Sequence, residues 1–153
     1  MNKSWIANGF TAANALFGGL SIMMSISGEY HVAAICILIA MAADAFDGRV
    51  ARALGTAGPM GVELDSLSDD ISFGVAAGAL MYSYQLRELG AFGFIPCALL
   101  GAFCAFRLAR FNVKVTSVHG YFEGLPCPTV GVIIACYVPV SYTHLRAHET
   151  AAN

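Results

Sequence analysis

The chain has 153 residues, 58% of them hydrophobic and only 12% charged, with a net charge of −2 and a mean hydropathy of +0.67. A soluble domain of this size carries about 25% charged residues, so the composition excludes an ordinary water-soluble fold and predicts one membrane-embedded domain. Net charge says little, because most of the acids sit in a single stretch, and no nucleic-acid partner is expected.

Met1 to Phe10 is short and mixed, with Lys3 and Trp5, and is expected to be an interfacial segment entering the bilayer. No basic leader with a cleavage site precedes the first apolar stretch, so that stretch is expected to stay as a helix. It covers about Phe10–Ile26, carries Thr11 and Asn14, and has Gly18-Gly19 for close helix contact. Ser27-Gly28-Glu29 is a turn. A second span starts near Tyr30, is apolar to Ala43, and continues as a helix into the polar stretch Asp44–Asp69. A third begins near Gly61 and runs to about Tyr84. Gln85–Glu88 is a loop, a fourth span covers about Leu89–Arg110, Asn112–Gly124 is a polar connection, and a fifth span starts at Leu125. The prediction is an all-α, polytopic membrane helix bundle. The second and third spans reach the ~20 residues needed to cross a bilayer only with their polar ends included, which places the aspartates near the membrane–water boundary. Lys3, Arg49, Arg52, Arg107, Arg110 and Lys114 lie at one set of span ends and Arg87 at the other. The positive-inside rule then puts the aspartates on the cytoplasmic side of the cell membrane.

At about 100° per residue, a helix through Asp44 puts Asp47, Gly48, Ala51 and Arg52 on one face, with Arg49 pointing away. A helix from Gly61 puts Asp65, Ser68, Asp69 and Ser72 on one face. Gly55, Gly58 and Pro59 form the turn that lets the two faces meet. Four carboxylates at a membrane edge repel one another and are costly to desolvate. Divalent cations remove most of that cost, and oxygen donors without Cys or His suit Mg²⁺ or Mn²⁺. Two such ions about 3.5–4 Å apart can clamp the attacking and leaving oxygens of a phosphoryl displacement. Arg52 offers a planar fork for phosphate oxygens, and Gly48, Ala51 and Gly61 leave room for a ligand against the backbone. No Ser, Cys or His on this face has a separate base, since Ser68 and Ser72 have only the carboxylates beside them. Direct transfer is therefore expected rather than a covalent intermediate. The cysteines (Cys36, Cys97, Cys104, Cys127, Cys136) form no CxxC and have no His partner, so they are expected to be small buried apolar residues.

The spacing D-x2-D-G-x2-A-R-x8-G-x3-D-x3-D, from Asp44 to Asp69, resembles the signature of the CDP-alcohol phosphotransferase family. Within the family it is most similar to the phosphatidylserine synthase branch. Ile6-Ala7-Asn8, Thr11-x2-Asn14, Phe46–Arg52, Glu63–Leu67, Ser72–Ala76, Arg107–Asn112 and Gly124-Leu125-Pro126 all match its pattern. Ala7 stands where proline is usual, Ala77 replaces a common proline, and Asp70 stands where an apolar residue is usual. Asp70, about 100° round from Asp69, is either a supporting contact behind the metal face or a destabilising substitution.

The resemblance implies six core helices, usually in a homodimer, of which this chain holds five at most. It implies metal ligation by Asp44, Asp47, Asp65 and Asp69, with two Mg²⁺ or Mn²⁺ ions, and Asp69 as the general base. Asp47, Gly48, Ala51, Arg52, Gly61 and Asp65 would bind the CDP moiety and diphosphate. The implied donor is CDP-diacylglycerol and the implied acceptor L-serine; glycerol 3-phosphate or inositol phosphate are alternatives. Arg107, Arg110 and Lys114 repeat at i, i+3, i+7 and are either an acceptor pocket or an anchor face touching lipid headgroups. Asn112 and His119 are weaker acceptor candidates. A rival of another class is a small cation carrier using the aspartates as transit sites, against which an arginine beside the path argues; a non-catalytic membrane scaffold is a third.

Val140–Thr150 reads V-S-Y-T-H-L-R-A-H-E-T, which resembles a translated transposon adaptor used in sequencing libraries. The apolar span from Leu125 stops at Pro139, about 15 residues in, short of a bilayer crossing. Residues 1–139 are accordingly expected to be the transmembrane domain and 140–153 a non-native tail, with His144 and His148 excluded from function. The 153 residues alone, lacking helices that close the bundle, are expected to be poorly stable and inactive.

Overall fold

A computed structural model describes residues 4–55, 58–115 and 126–151. Among the described residues six α-helical segments follow one another as five continuous helices: α1 (Ser4–Ile26), α2 (Tyr30–Leu54), α3 (Pro59–Asp69), α4 (Ala76–Tyr84), α5 (Ala91–Val115) and α6 (Cys127–Ala151). A π-helical turn, Asp70–Val75, joins α3 to α4 without a break, and a 3₁₀ turn, Leu86–Leu89, precedes α5. No strand occurs among the described residues. Asn8–Ile26, Tyr30–Leu54 and Ala91–Val113 are each long and apolar enough to cross a membrane. Many large apolar side chains face outward, among them Leu16, Met23, Phe92, Phe103 and Phe106, as lipid-facing residues do. The chain is an all-α integral membrane protein.

The turns follow local chemistry. Gly28 and Gly55 adopt positive φ (84° and 62°), which only glycine enters without steric cost. The Gly55 N–H closes α2 onto the carbonyls of Ala51 and Arg52. Pro59 then starts α3, where its missing N–H would be unpaired in any case.

Lipid gives helices no hydrophobic reason to associate, so close packing through small residues carries the bundle. Ala33, Ala34 and Ala40 on α2 are fully buried, and the Ser21 hydroxyl of α1 donates to the Ala33 carbonyl at 2.9 Å. The α3–π–α4 run is the centre. Its π turn packs against α1, α5 and α6, and glycines form these contacts. A Cβ on Gly18 of α1 would meet Ser72, with the Ser72 Cα at 2.9 Å; one on Gly131 of α6 would meet Phe73. Phe73 is the largest fully buried side chain and heads a core with Ile37, Leu80 and Val138.

Several boundaries differ from the sequence expectation. The described backbone is helical from Ser4, so the stretch before Phe10 is part of α1. The third span begins at Pro59 and contains the π turn, which periodicity does not announce. α5 runs on to Val115, so Asn112 is helical rather than part of a connection. The backbone of α6 stays helical through Pro139 to Ala151; a proline removes one ladder hydrogen bond, which a long helix can absorb. Cys36, Cys104 and Cys127 are buried as expected, but Cys136 is exposed on the outer surface of α6.

Candidate active site

α2 and α3 each present a carboxylate pair at helical spacing, Asp44 with Asp47 and Asp65 with Asp69. The Gly55–Pro59 turn folds one helix back beside the other. Carboxylate oxygens of Asp44, Asp47 and Asp65 then lie within 4.8 Å of one another. Asp69 joins them, because its carboxyl and that of Asp44 are within hydrogen-bonding reach. Asp47 and Asp69 are buried, and Asp44 and Asp65 half-buried. The predicted convergence of all four aspartates is therefore present.

Buried carboxylates this close repel one another, and buried polar oxygens normally have partners. Here the Asp47 Oδ2 and Asp65 Oδ1 atoms are buried without a hydrogen-bond partner. Oxygen-only donors, clustered and unsatisfied, fit a divalent metal ion. Thr11 of α1 is a side-chain partner of Asp47, and Asn14 Nδ2 donates to Asp69 Oδ1 at 3.1 Å. These α1 residues support the carboxylates from outside the motif. Motif spacing gave no sign of either role, since the Asn14 contact spans 55 residues of sequence.

The glycines separate into two kinds. Among the described residues, a Cβ on Gly48 would find only Arg52 Nη2, at 3.9 Å, and one on Gly61 only Asn8 Oδ1, at 3.9 Å. Packing within the chain does not require glycine at either position, unlike Gly18 and Gly131. Bare backbone at Gly48 and Gly61, with half-buried Ala51, leaves room beside the carboxylates. Arg52 is exposed, and its Nε donates to the Gly48 carbonyl at 2.8 Å. That bond lays the guanidinium back along α2, with Nη2 beside the bare backbone of Gly48. Arg49 is exposed, as its helical phase requires.

Ser68 and Ser72 are buried, and their hydroxyls donate to backbone carbonyls, Leu64 at 2.8 Å and Asn14 at 2.9 Å. They serve packing. Asp70 turns off the metal face; its Oδ1 lies over Gly74, where α5 approaches with Gly101 and Cys104.

The basic residues of α5 have different surroundings. Arg107 is half-buried and donates from Nη1 to Cys127 Sγ of α6 at 3.3 Å, so Cys127 is a polar partner as well as a packing residue. Arg110 is exposed. The Lys114 side chain and all of His119 lie outside the described residues, as do the side chains of His144 and His148. Asn112 donates from Nδ2 to Ser66 Oγ at 3.0 Å, tying the end of α5 to α3 one residue from Asp65.

A family model described as CDP-alcohol phosphatidyltransferase matches residues 4–149. The chain is 37% identical over 132 residues to a CDP-diacylglycerol–serine O-phosphatidyltransferase of Helicobacter pylori, covering 86% of this chain and 56% of that protein. It is 38% identical over 135 residues to a protein of the same name from Bacillus subtilis, covering 88% and 73%. An archaetidylserine synthase of Methanothermobacter thermautotrophicus is 39% identical over 137 residues, covering 88% and 58%. The chain thus spans little more than half the length of two of these relatives. No solved structure matches it.

Proposed function

Since the chain belongs to the CDP-alcohol phosphatidyltransferase family, we propose that its full-length protein transfers the phosphatidyl group of CDP-diacylglycerol to the hydroxyl of L-serine, releasing CMP. The observation that carries this reading is the meeting of Asp44, Asp47 and Asp65 within 4.8 Å, with Asp69 beside them and open backbone at Gly48 and Gly61. The relatives named as serine phosphatidyltransferases supply the acceptor.

Asp44, Asp47, Asp65 and Asp69 would hold two Mg²⁺ or Mn²⁺ ions. Such ions, when bound, neutralise diphosphate charge and polarise the phosphorus to be attacked. The donor's acyl chains stay in lipid while its CDP end occupies the gap bounded by Asp47, Gly48, Ala51, Arg52, Gly61 and Asp65. The serine oxygen forms a bond to the lipid-linked phosphorus as the bond to the CMP oxygen breaks. Asp69 receives the hydroxyl proton, and the Arg52 guanidinium pairs with the phosphate oxygens of CMP. Arg107, Arg110 and Lys114 are the proposed cations for the serine carboxylate. Lys3, Arg49, Arg52, Arg107, Arg110 and Lys114 support a cytoplasmic orientation of this face through the positive-inside rule.

Metal-dependent release of CMP, measured with the full-length gene product, CDP-diacylglycerol and a panel of alcohols, tests the reading. Phosphatidylserine from L-serine is the expected product. Consumption of glycerol 3-phosphate in place of serine would move the acceptor and keep the donor chemistry, and absence of any CMP release would favour a cation carrier.

A further inference from the structure

The first helix brings to the site a side chain that no position of the aspartate signature supplies. Asn14 is fully buried, and its Nδ2 reaches Asp69 Oδ1 at 3.1 Å. Its backbone carbonyl accepts the Ser72 hydroxyl at 2.9 Å, so the π turn that follows Asp69 grips the same residue. One turn further along α1, Gly18 allows the helix to lie directly on Ser72. Asn14 is thus held by its backbone, and its amide has little freedom to leave Asp69. Its Oδ1 has no hydrogen-bond partner, so the contact with Asp69 is what orients the amide.

Asp69 needs such a contact. Its close neighbours Asp44 and Asp65 are carboxylates, and when ionised they repel it. A neutral amide donor can hold it without placing a positive charge beside a cation site, as lysine or arginine would. A base must stand within hydrogen-bond reach of the proton it removes, and a displacement of about 1 Å can cost about a hundredfold in rate. We propose that Asn14 is a positioning residue for phosphatidyl transfer, holding Asp69 in the orientation from which it removes the acceptor's proton. This rests on the reading of Asp69 as the general base.

The test compares Asn14→Ala and Asn14→Leu with Ser21→Ala in the full-length gene product in micelles, recording kcat, donor KM, Mn²⁺ affinity and unfolding midpoint. Ser21 is the structural control, a buried hydroxyl on the same helix that bonds to Ala33 at 2.9 Å. At saturating Mn²⁺, both Asn14 variants are expected to lower kcat about ten- to a hundredfold, with donor KM within about threefold of the parent. Ser21→Ala is expected to lower the midpoint and leave kcat per folded enzyme unchanged. Should the smaller side chain prevent folding, Asn14→Leu, which fills the space, carries the comparison. An unchanged kcat, or a kcat that falls only in step with Mn²⁺ affinity and donor KM, overturns the inference while the serine reading stands. If the parent releases CMP with another alcohol but not with serine, the serine reading fails and the Asn14 variants are judged on that alcohol. A parent with no metal-dependent CMP release overturns both.

Discussion

Gly131 of α6 lies against Phe73 so closely that a Cβ there would stand 2.8 Å from Phe73 Cδ1 and 3.0 Å from Phe73 Cα. Backbone cannot give way as a flexible side chain can, and Phe73 is itself fully buried. Gly131→Ala is therefore expected to destabilise the bundle by about 1–3 kcal/mol, the usual cost of overpacking. A clear fall in unfolding midpoint in micelles checks this; an unchanged midpoint would mean that α6 does not sit on the π turn.

Gly48→Ala and Gly61→Ala should behave in the opposite way. A methyl at either position meets nothing nearer than 3.9 Å, so folding should be unaffected. If the gap beside the carboxylates takes the CDP end of the donor, the KM for CDP-diacylglycerol should rise at least about tenfold, the effect of losing roughly 1.4 kcal/mol of binding. Equal kinetics with the parent would remove both glycines from the donor site.

The aspartates divide by role. Asp44→Asn, Asp47→Asn and Asp65→Asn are each expected to weaken Mn²⁺ binding about tenfold or more, since each removes a charged ligand from the cluster. Asp69→Asn is expected to abolish turnover, as an amide cannot take the proton. Titration calorimetry and CMP release separate the effects. Full activity in chelator, or in Asp69→Asn, would sink the metal and base assignments.

Arg110 and Arg107 should also part company. Arg110 is exposed, whereas Arg107 is engaged with Cys127 at 3.3 Å. Arg110→Ala is expected to raise the serine KM about ten- to a hundredfold, the loss of one charge-assisted hydrogen bond, with little change in donor KM. A serine KM equal to the parent's would assign Arg110 to lipid headgroups instead.

Helical spacing alone brought Asp44 with Asp47, and Asp65 with Asp69, onto facing stripes, because those relationships are local and repeat about every 100°. The turn between them was legible for the same reason: Gly55 and Pro59 act on their own backbone. The supports from α1 were not legible. Thr11 and Asn14 stand out only as positions of the family pattern, and their partners are chosen by how α1 docks, through Gly18 and Ser21, onto the rest of the bundle. The phase of α5 was legible, but the partner of Arg107 was not, because Cys127 arrives from a different helix after a connection outside the described residues. The π turn left no mark either, since a polar-to-apolar change at Asp70 looks the same in either helix type.

That turn has a consequence for chain length. A π turn accommodates one residue more than an α turn, so it works as a phase shifter between the half of the helix that carries charge and the half that lies in lipid. With every residue of Asp70–Val75 kept but wound as a plain α-helix, everything after the turn would be rotated by about 100°. Ala76, Ala77 and Leu80, now fully buried, would swing away from α1 and α6, while Asp65 and Asp69 stayed where they are. The wide turn thus takes up the extra residue locally and lets the carboxylate end and the lipid end of the helix both be docked at once.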